Sequence, residues 1–342
     1  MKINVTLPIL LALALIHLTG CQLDGKPRPR LGSYATSTVG TNFLGPDKLG
    51  HHSYAYSPLE KNGIVYTCKA GHIDITHLRI AADHTRYLSD TIYEMLMENE
   101  TDLTFDLRVE PSQHHVHIEY PPYWDNMTGS VKKDAAREMS YQVGQYLTFN
   151  ATTWHEIIVW FGFKSMAFVP EFPSAFSWED VYSNLLGTHI AVKAMRDTKH
   201  SYNKAMTIAL NEEMQKLKIQ PAAVARQASE NVRGKWFTGE LLVDMKRRNF
   251  DIGLDDGFVT PAVVDGICDG ETIRLSPVPT LNWIERNGFK ITQTIAPKEW
   301  ETKKILQIAS PDESITEINP AKHFPAIMDY LEDQAAELGY NF

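Results

Sequence analysis

Blocks of helical and strand periodicity alternate along the chain. From Ile73 to about Glu98, Ile73, Ile80, Tyr87 and Ile92 recur at helical intervals. On the same stretch Arg79, Asp83, Arg86 and Asp90 form a stripe of alternating charge. The period then changes. Leu103, Phe105, Leu107 and Val109 alternate with polar residues, Pro111-Ser112-Gln113 offers a turn, and Val116, Ile118 and Tyr120 alternate with His115, His117 and Glu119. Together these predict a hairpin. Helical patterns follow at about 132–148, 152–162, 178–197, 202–217 and 221–231, then short strands near 271–276 and 290–296 and a last helix near 321–338. Ser177-Trp178-Glu179-Asp180 suits a helix start, with Ser177 as the cap. No repeat, low-complexity tract or shift in composition divides the pattern. The reading is a helix-rich α+β single domain with a small antiparallel sheet, spanning residues 51–342.

The N-terminus follows a different rule. Lys2 precedes an apolar run from Leu7 to Leu18, too short to span a bilayer comfortably, which ends in Leu18-Thr19-Gly20-Cys21. Residues 1–20 read as a lipoprotein signal peptide, because the last four residues resemble the bacterial lipobox and make Cys21 the acylated new N-terminus. Gln22, rather than Asp, after that cysteine points to the outer membrane facing the periplasm. Residues 21–50 carry Lys26-Pro27-Arg28-Pro29-Arg30 and then Gly, Ser and Thr, which reads as a flexible tether. The expected membrane attachment is through acyl chains. The net charge of −9 argues against a nucleic-acid partner. With Cys21 consumed, Cys68 and Cys268 are the only cysteines left of three, and in an oxidising compartment a disulfide is the favoured reading over a catalytic Cys68 thiol.

Four constellations carry candidate chemistry. Asp74 and His77, three apart, share a helical face that His84 continues; such a pair ligates metal in di-iron bundles but also serves as a plain buried hydrogen bond. Thr153-Trp154-His155-Glu156 opens like a zincin helix, and Val159 stands where the second histidine must be. Ionisable groups in so apolar a segment are costly to bury without partners, which marks His155 and Glu156 as polar groups of a core or pocket. His115 and His117 share one strand face, where a solvated surface with cross-strand pairs is the simpler use. The run Asp251, Asp255, Asp256, Asp265 and Asp269 lacks the spacing of a calcium loop and fits solvated turns. There is no nucleophile elbow, Walker loop or dinucleotide fingerprint.

Taken together, Gly71-His72-Ile73-Asp74-Ile75-Thr76-His77-Leu78-Arg79, Thr153-Trp154-His155-Glu156 and Ser174-Ala175-Phe176-Ser177-Trp178-Glu179-Asp180 resemble an uncharacterised family of Gram-negative envelope lipoproteins, a domain of unknown function. The resemblance covers nearly the whole mature chain. It implies a periplasm-facing lipoprotein and no established activity, so no catalytic role is carried over from it.

Two functions are therefore expected. The first is a structural or binding role in the envelope with a protein or glycan partner, for which Pro121-Pro122-Tyr123-Trp124 is the candidate patch. The second is a hydrolase using a divalent metal ion such as Zn, with Asp74, His77 and His155 as ligands, Glu179 as an extra carboxylate and Glu156 as general base.

Overall fold

The long periodic stretches fold as their patterns require. The computed structural model describes residues 25–164, 171–240 and 243–340, so the Cys21 acylation site lies outside the described residues. Strands β1 (Ile64–Thr67) and β2 (Gly71–Asp74) pair antiparallel and lead directly into α1 (Ile75–Glu98). Asp74 caps α1, its Oδ1 accepting the Thr76 N–H at 2.6 Å. Strands β3 (Asp102–Phe105) and β4 (Gln113–Glu119) form the hairpin, in a register that places Leu103 opposite Val116.

Helix α2 (Gly129–Trp160) is one continuous rod where the pattern suggested two helices. Nothing at 149–151 is a Gly or Pro breaker, and Asn150 donates from its side chain to Gln293 at 2.8 Å rather than competing for its own backbone. Three more helices follow, α3 (Asp180–Met195), α4 (Tyr202–Lys216) and α5 (Ala222–Val232). Short strands β5 (Phe237–Thr238), β6 (Asp244–Met245), β7 (Phe258–Val259) and β8 (Ser276–Pro277) make two small ribbons, so only the end of the strand expected at 271–276 forms. After α6 (Asn282–Arg286), strand β9 (Lys290–Ala296) adds to β4, and α7 (Thr302–Ala309) and α8 (Pro320–Glu337) close the chain. The molecule is a helix-rich α+β single domain with small antiparallel sheets.

α1 runs between α2 and α3, and a glycine on each side lets the backbones approach. A Cβ on Gly144 of α2 would collide with Ser89, and one on Gly187 of α3 would collide with the Leu78 carbonyl. One apolar core lies where α3, α4, the C-terminal half of α2 and α8 meet, and a second lies under the β3–β4–β9 sheet. Trp124 belongs to that second core. It is 1% exposed and its indole N–H donates to Leu96 O at 3.1 Å, so Trp124 serves packing, while Tyr123 beside it is 45% exposed. Cys68 and Cys268 are joined by a disulfide with Cα atoms 5.3 Å apart, so Cys68 is not a free thiol. Closing a loop that long stabilises by ~4–5 kcal/mol on the chain-entropy argument.

Residues 25–50, read from their composition as a tether, are instead a strap packed on the body. Phe43, Leu44 and Leu49 are buried, and Ala35 is buried against Trp178 and Phe237 in a third apolar cluster. Arg30 lies 2.9 Å from Glu60 and 2.7 Å from Asp83, Arg28 also pairs with Glu60, and Lys26 reaches Asp106 at 2.8 Å. The basic cluster that looked like a solvated linker supplies buried counter-charges for two carboxylates that burial alone could not tolerate.

Candidate acid–base site

The strap walls off a cavity of about 500 Å³ between the N-terminal part of α1 and the C-terminal half of α2. Thr152, His155, Glu156 and Val159 of α2 face it, the i, i+3, i+4, i+7 set of one helical face. His77, Ile80 and His84 of α1 stand opposite, at i, i+3 and i+7. Asp180, at the start of α3, and Pro27 to Tyr34 of the strap complete the walls.

The imidazoles of His77 and His155 are each held at Nδ1 by carboxylate, which leaves Nε2 for the cavity. Nδ1 of His77 lies 2.9 Å from Asp180 Oδ1 and 3.5 Å from Asp74 Oδ2. Nδ1 of His155 lies 3.0 Å from Glu110 Oε2. Both rings remain about a quarter exposed, at 25% and 26%. Burial opposes the charge on His77, but Asp180 and Asp74 outweigh it and raise its pKa well above the usual imidazole value. His155 is likewise raised, burial being overcome by its bond to Glu110. His84 goes the other way. Burial lowers it, and its Nδ1 lies 2.9 Å from the Ile80 carbonyl.

Glu156 sits between these groups. Its Oε2 accepts the Phe176 N–H at 2.9 Å, and burial plus the neighbouring Asp180 push its pKa up to about 7 against the pull of His155 and His77. Phe176 adopts φ of 53°, a left-handed backbone that a bulky residue rarely takes. Its ring is fully buried, and its carbonyl accepts the Asn249 N–H at 2.8 Å, so the surroundings hold the strained residue that fixes Glu156.

The structure separates the sequence candidates into two groups. His77, His155 and Glu156 line the cavity together. Asp74 and Glu179 stand behind it and hold the strap: Asp74 Oδ2 accepts the Ser33 N–H at 3.0 Å and Glu179 Oε1 accepts the Ala35 N–H at 3.0 Å. Glu179 is raised well above the ordinary carboxylate value by burial and by Asp180. Among the described residues, no group of three or more His, Cys, Asp or Glu side chains is placed to hold a metal ion. Of the ligands assigned from the sequence, Asp74 and Glu179 accept backbone N–H groups, while His77 and His155 pair through Nδ1 with Asp180 and Glu110.

Three participants escaped the sequence reading. Asp180, rather than Glu179, meets His77, and it also accepts from the Ser177 N–H and hydroxyl at 2.9 and 3.0 Å, reversing the expected cap. Glu110, which the hairpin alternation placed on a solvated face, is 6% exposed and lies between His155 and His114. Gly32 of the strap abuts His77, and a Cβ there would stand 2.9 Å from Nε2. The remaining constellations are structural. His115 bonds Thr104 and His117 pairs with Asp102 on the outer face of the hairpin. Asp251, Asp256 and Asp269 accept N–H groups of their own turns.

Comparison with known proteins gives a family and no activity. The family model described as "Protein of unknown function (DUF4056)" matches residues 38–255, more than half of the chain. No curated protein matches, and no solved structure matches. Among the described residues no helix is long and apolar enough to cross a membrane.

Proposed function

The chain belongs to the DUF4056 family of proteins of unknown function, and we propose from its own side chains that it is a hydrolase of ester bonds that works by general acid–base catalysis at the strap-walled cavity. The observation that carries this reading is the convergence of Glu156 with two carboxylate-held imidazoles, His77 and His155, on one cavity. A group titrating near neutrality beside two imidazolium donors is what a water-activating site needs. In the reaction Glu156 takes a proton from water as the water oxygen bonds to the ester centre. The bond to the leaving oxygen breaks, and that oxygen takes a proton from Nε2 of His77. His155 then offers its own Nε2–H to the charge that develops on the ester.

Water is the nucleophile in this reading because the nearby alternatives are engaged elsewhere. The Ser177 hydroxyl donates to Asp180 and that of Ser174 donates to the Glu171 carbonyl, while Cys68 is in the disulfide. No bound metal is part of the proposal, since Asp74 and Glu179 are engaged with the strap.

The setting we propose is the cell envelope, with the chain acylated at Cys21 and held on the outer membrane facing the periplasm. The lipobox-like Leu18-Thr19-Gly20-Cys21 and the Cys68–Cys268 disulfide of an oxidising compartment support it.

The test is turnover of nitrophenyl carboxylic and phosphoric esters by the chain from Gln22 onward, which contains every described residue. Wild type is expected to turn over at least one ester class, with Glu156→Gln slower by about 10²–10⁴-fold. The rate should rise with pH through about 7 as Glu156 loses its proton and fall again as His77 loses its own. A wild-type protein that hydrolyses neither class, or a Glu156→Gln variant as fast as wild type, would leave the cavity with only the binding role.

A further inference from the structure

We propose that the rim of this cavity docks on a lipid bilayer, so that the site opens onto the membrane and draws an amphiphilic ester from it; the identity of the substrate rests on the hydrolase reading, and the docking does not. Three aliphatic side chains of the cavity lining project into solvent: Leu31 at 63% exposed, Val39 at 79% and Val109 at 40%. Single exposed aliphatics are ordinary on a protein surface. These three come from separate places, two points of the strap and the loop after β3, and they share one cavity mouth. Aliphatic tips grouped at one mouth match the apolar interior of a bilayer surface.

The chain outside the described residues points the same way. Cys21 precedes Pro27, a residue of the cavity wall, by only six positions. At full extension that stretch reaches roughly 20 Å. With Cys21 acylated as proposed above, this wall would lie within about that distance of the membrane. That proximity favours a lipid surface over a protein or glycan as the occupant of the rim.

Co-sedimentation with vesicles of phosphatidylethanolamine and phosphatidylglycerol tests the proposal, using the chain from Gln22 onward so that no acyl group contributes. Wild type is expected to bind. The double variant Leu31→Asp, Val39→Asp is expected to bind about tenfold more weakly or worse, since two aliphatic contacts with the bilayer are replaced by charges. Leu254→Asp, at a side chain 52% exposed but away from the cavity, should bind like wild type. Glu156→Gln should also bind like wild type, so that loss of turnover and loss of docking are read separately. A wild-type chain that stays in the supernatant, equal binding by the double variant, or an equal loss in Leu254→Asp would overturn the docking proposal.

Discussion

Two buried clusters of charge lie on either side of the strap, and they are built on opposite principles. In the first, Arg28 and Arg30 of the strap meet Glu60 and Asp83, with Arg79 and His52 beside them. Burial by itself would raise both acids, but the guanidinium groups outweigh it, holding Glu60 down at about 2 and Asp83 lower still. In the second, Asp180, Asp74 and Glu156 crowd His77, and Glu110 and Glu156 act on His155. There burial and like charge act together on Glu156, which rises to about 7. Opposite charges in close pairs freeze their protonation states, and like charges around an open cavity bring one into the working range. The first cluster locks the strap and the second uses the wall the strap provides.

Breaking the lock is expected to produce the largest effect. Arg30→Ala leaves Glu60 and Asp83 buried with too little counter-charge, a loss of about 3–5 kcal/mol in denaturant unfolding. Because Glu60 is depressed, its contribution is fully present above its unfolded pKa and disappears only as pH falls through about 2. This pair therefore gives wild type no pH dependence between about pH 5 and pH 8, whereas in Arg30→Ala the acids that burial raises can take up protons, so the penalty should be no smaller at about pH 8 than at about pH 5. A penalty larger at about pH 5 than at about pH 8 would erase the contrast between the clusters.

A smaller, pH-dependent effect is expected in the second cluster. Glu156 is raised in the fold, so the stability linked to it is present below its unfolded pKa and lost as pH rises through about 7. Replacing it with Gln removes that loss. Relative to wild type, Glu156→Gln should gain about 2 kcal/mol between about pH 5 and pH 8. Thermal or chemical unfolding at the two pH values measures it, and a flat difference would place Glu156 with the frozen groups.

The finest test touches the wall between the clusters. Gly32→Ala puts a methyl group against Nε2 of His77. A drop of about tenfold in kcat/KM is expected, equivalent to about 1.4 kcal/mol in the barrier. Unfolding free energy should move by less than about 0.5 kcal/mol, since the strap keeps its ion pairs, its backbone bonds to Asp74 and Glu179 and its buried apolar side chains. An equal loss of stability would assign Gly32 to the lock rather than to the site.

The helices were legible because their apolar stripes are long and buried on one face. The α1 pattern from Ile73 onward and the β9 run from Lys290 appear nearly as read. The cavity was half legible. His155 and Glu156 stood out as ionisable groups in an apolar helix, and Asp74 and His77 by their spacing. The carboxylate partners did not. Asp180 adjoins Glu179 in sequence, and only the turn into α3 decides which of the two faces His77. Glu110 keeps the alternation of an exposed strand residue, but β3 ends at Phe105 and the chain folds it inward. The strap was misread for a related reason. Proline and arginine look like a tether until Glu60 and Asp83, from other parts of the chain, supply the charges that bury them.

The strap also sets the order in which the molecule is completed. Ala35 gives its N–H to Glu179, 144 residues later, and its carbonyl accepts the hydroxyl of Ser229, 194 residues later. Contacts that distant are slow to close and wait on everything between them. The earliest-made part of the described chain therefore has nowhere to settle until most of the rest has been synthesised and folded. Until it settles, the cavity lacks a wall. An unfinished or misassembled copy thereby lacks the enclosure, and the cavity takes its shape only as the fold is completed.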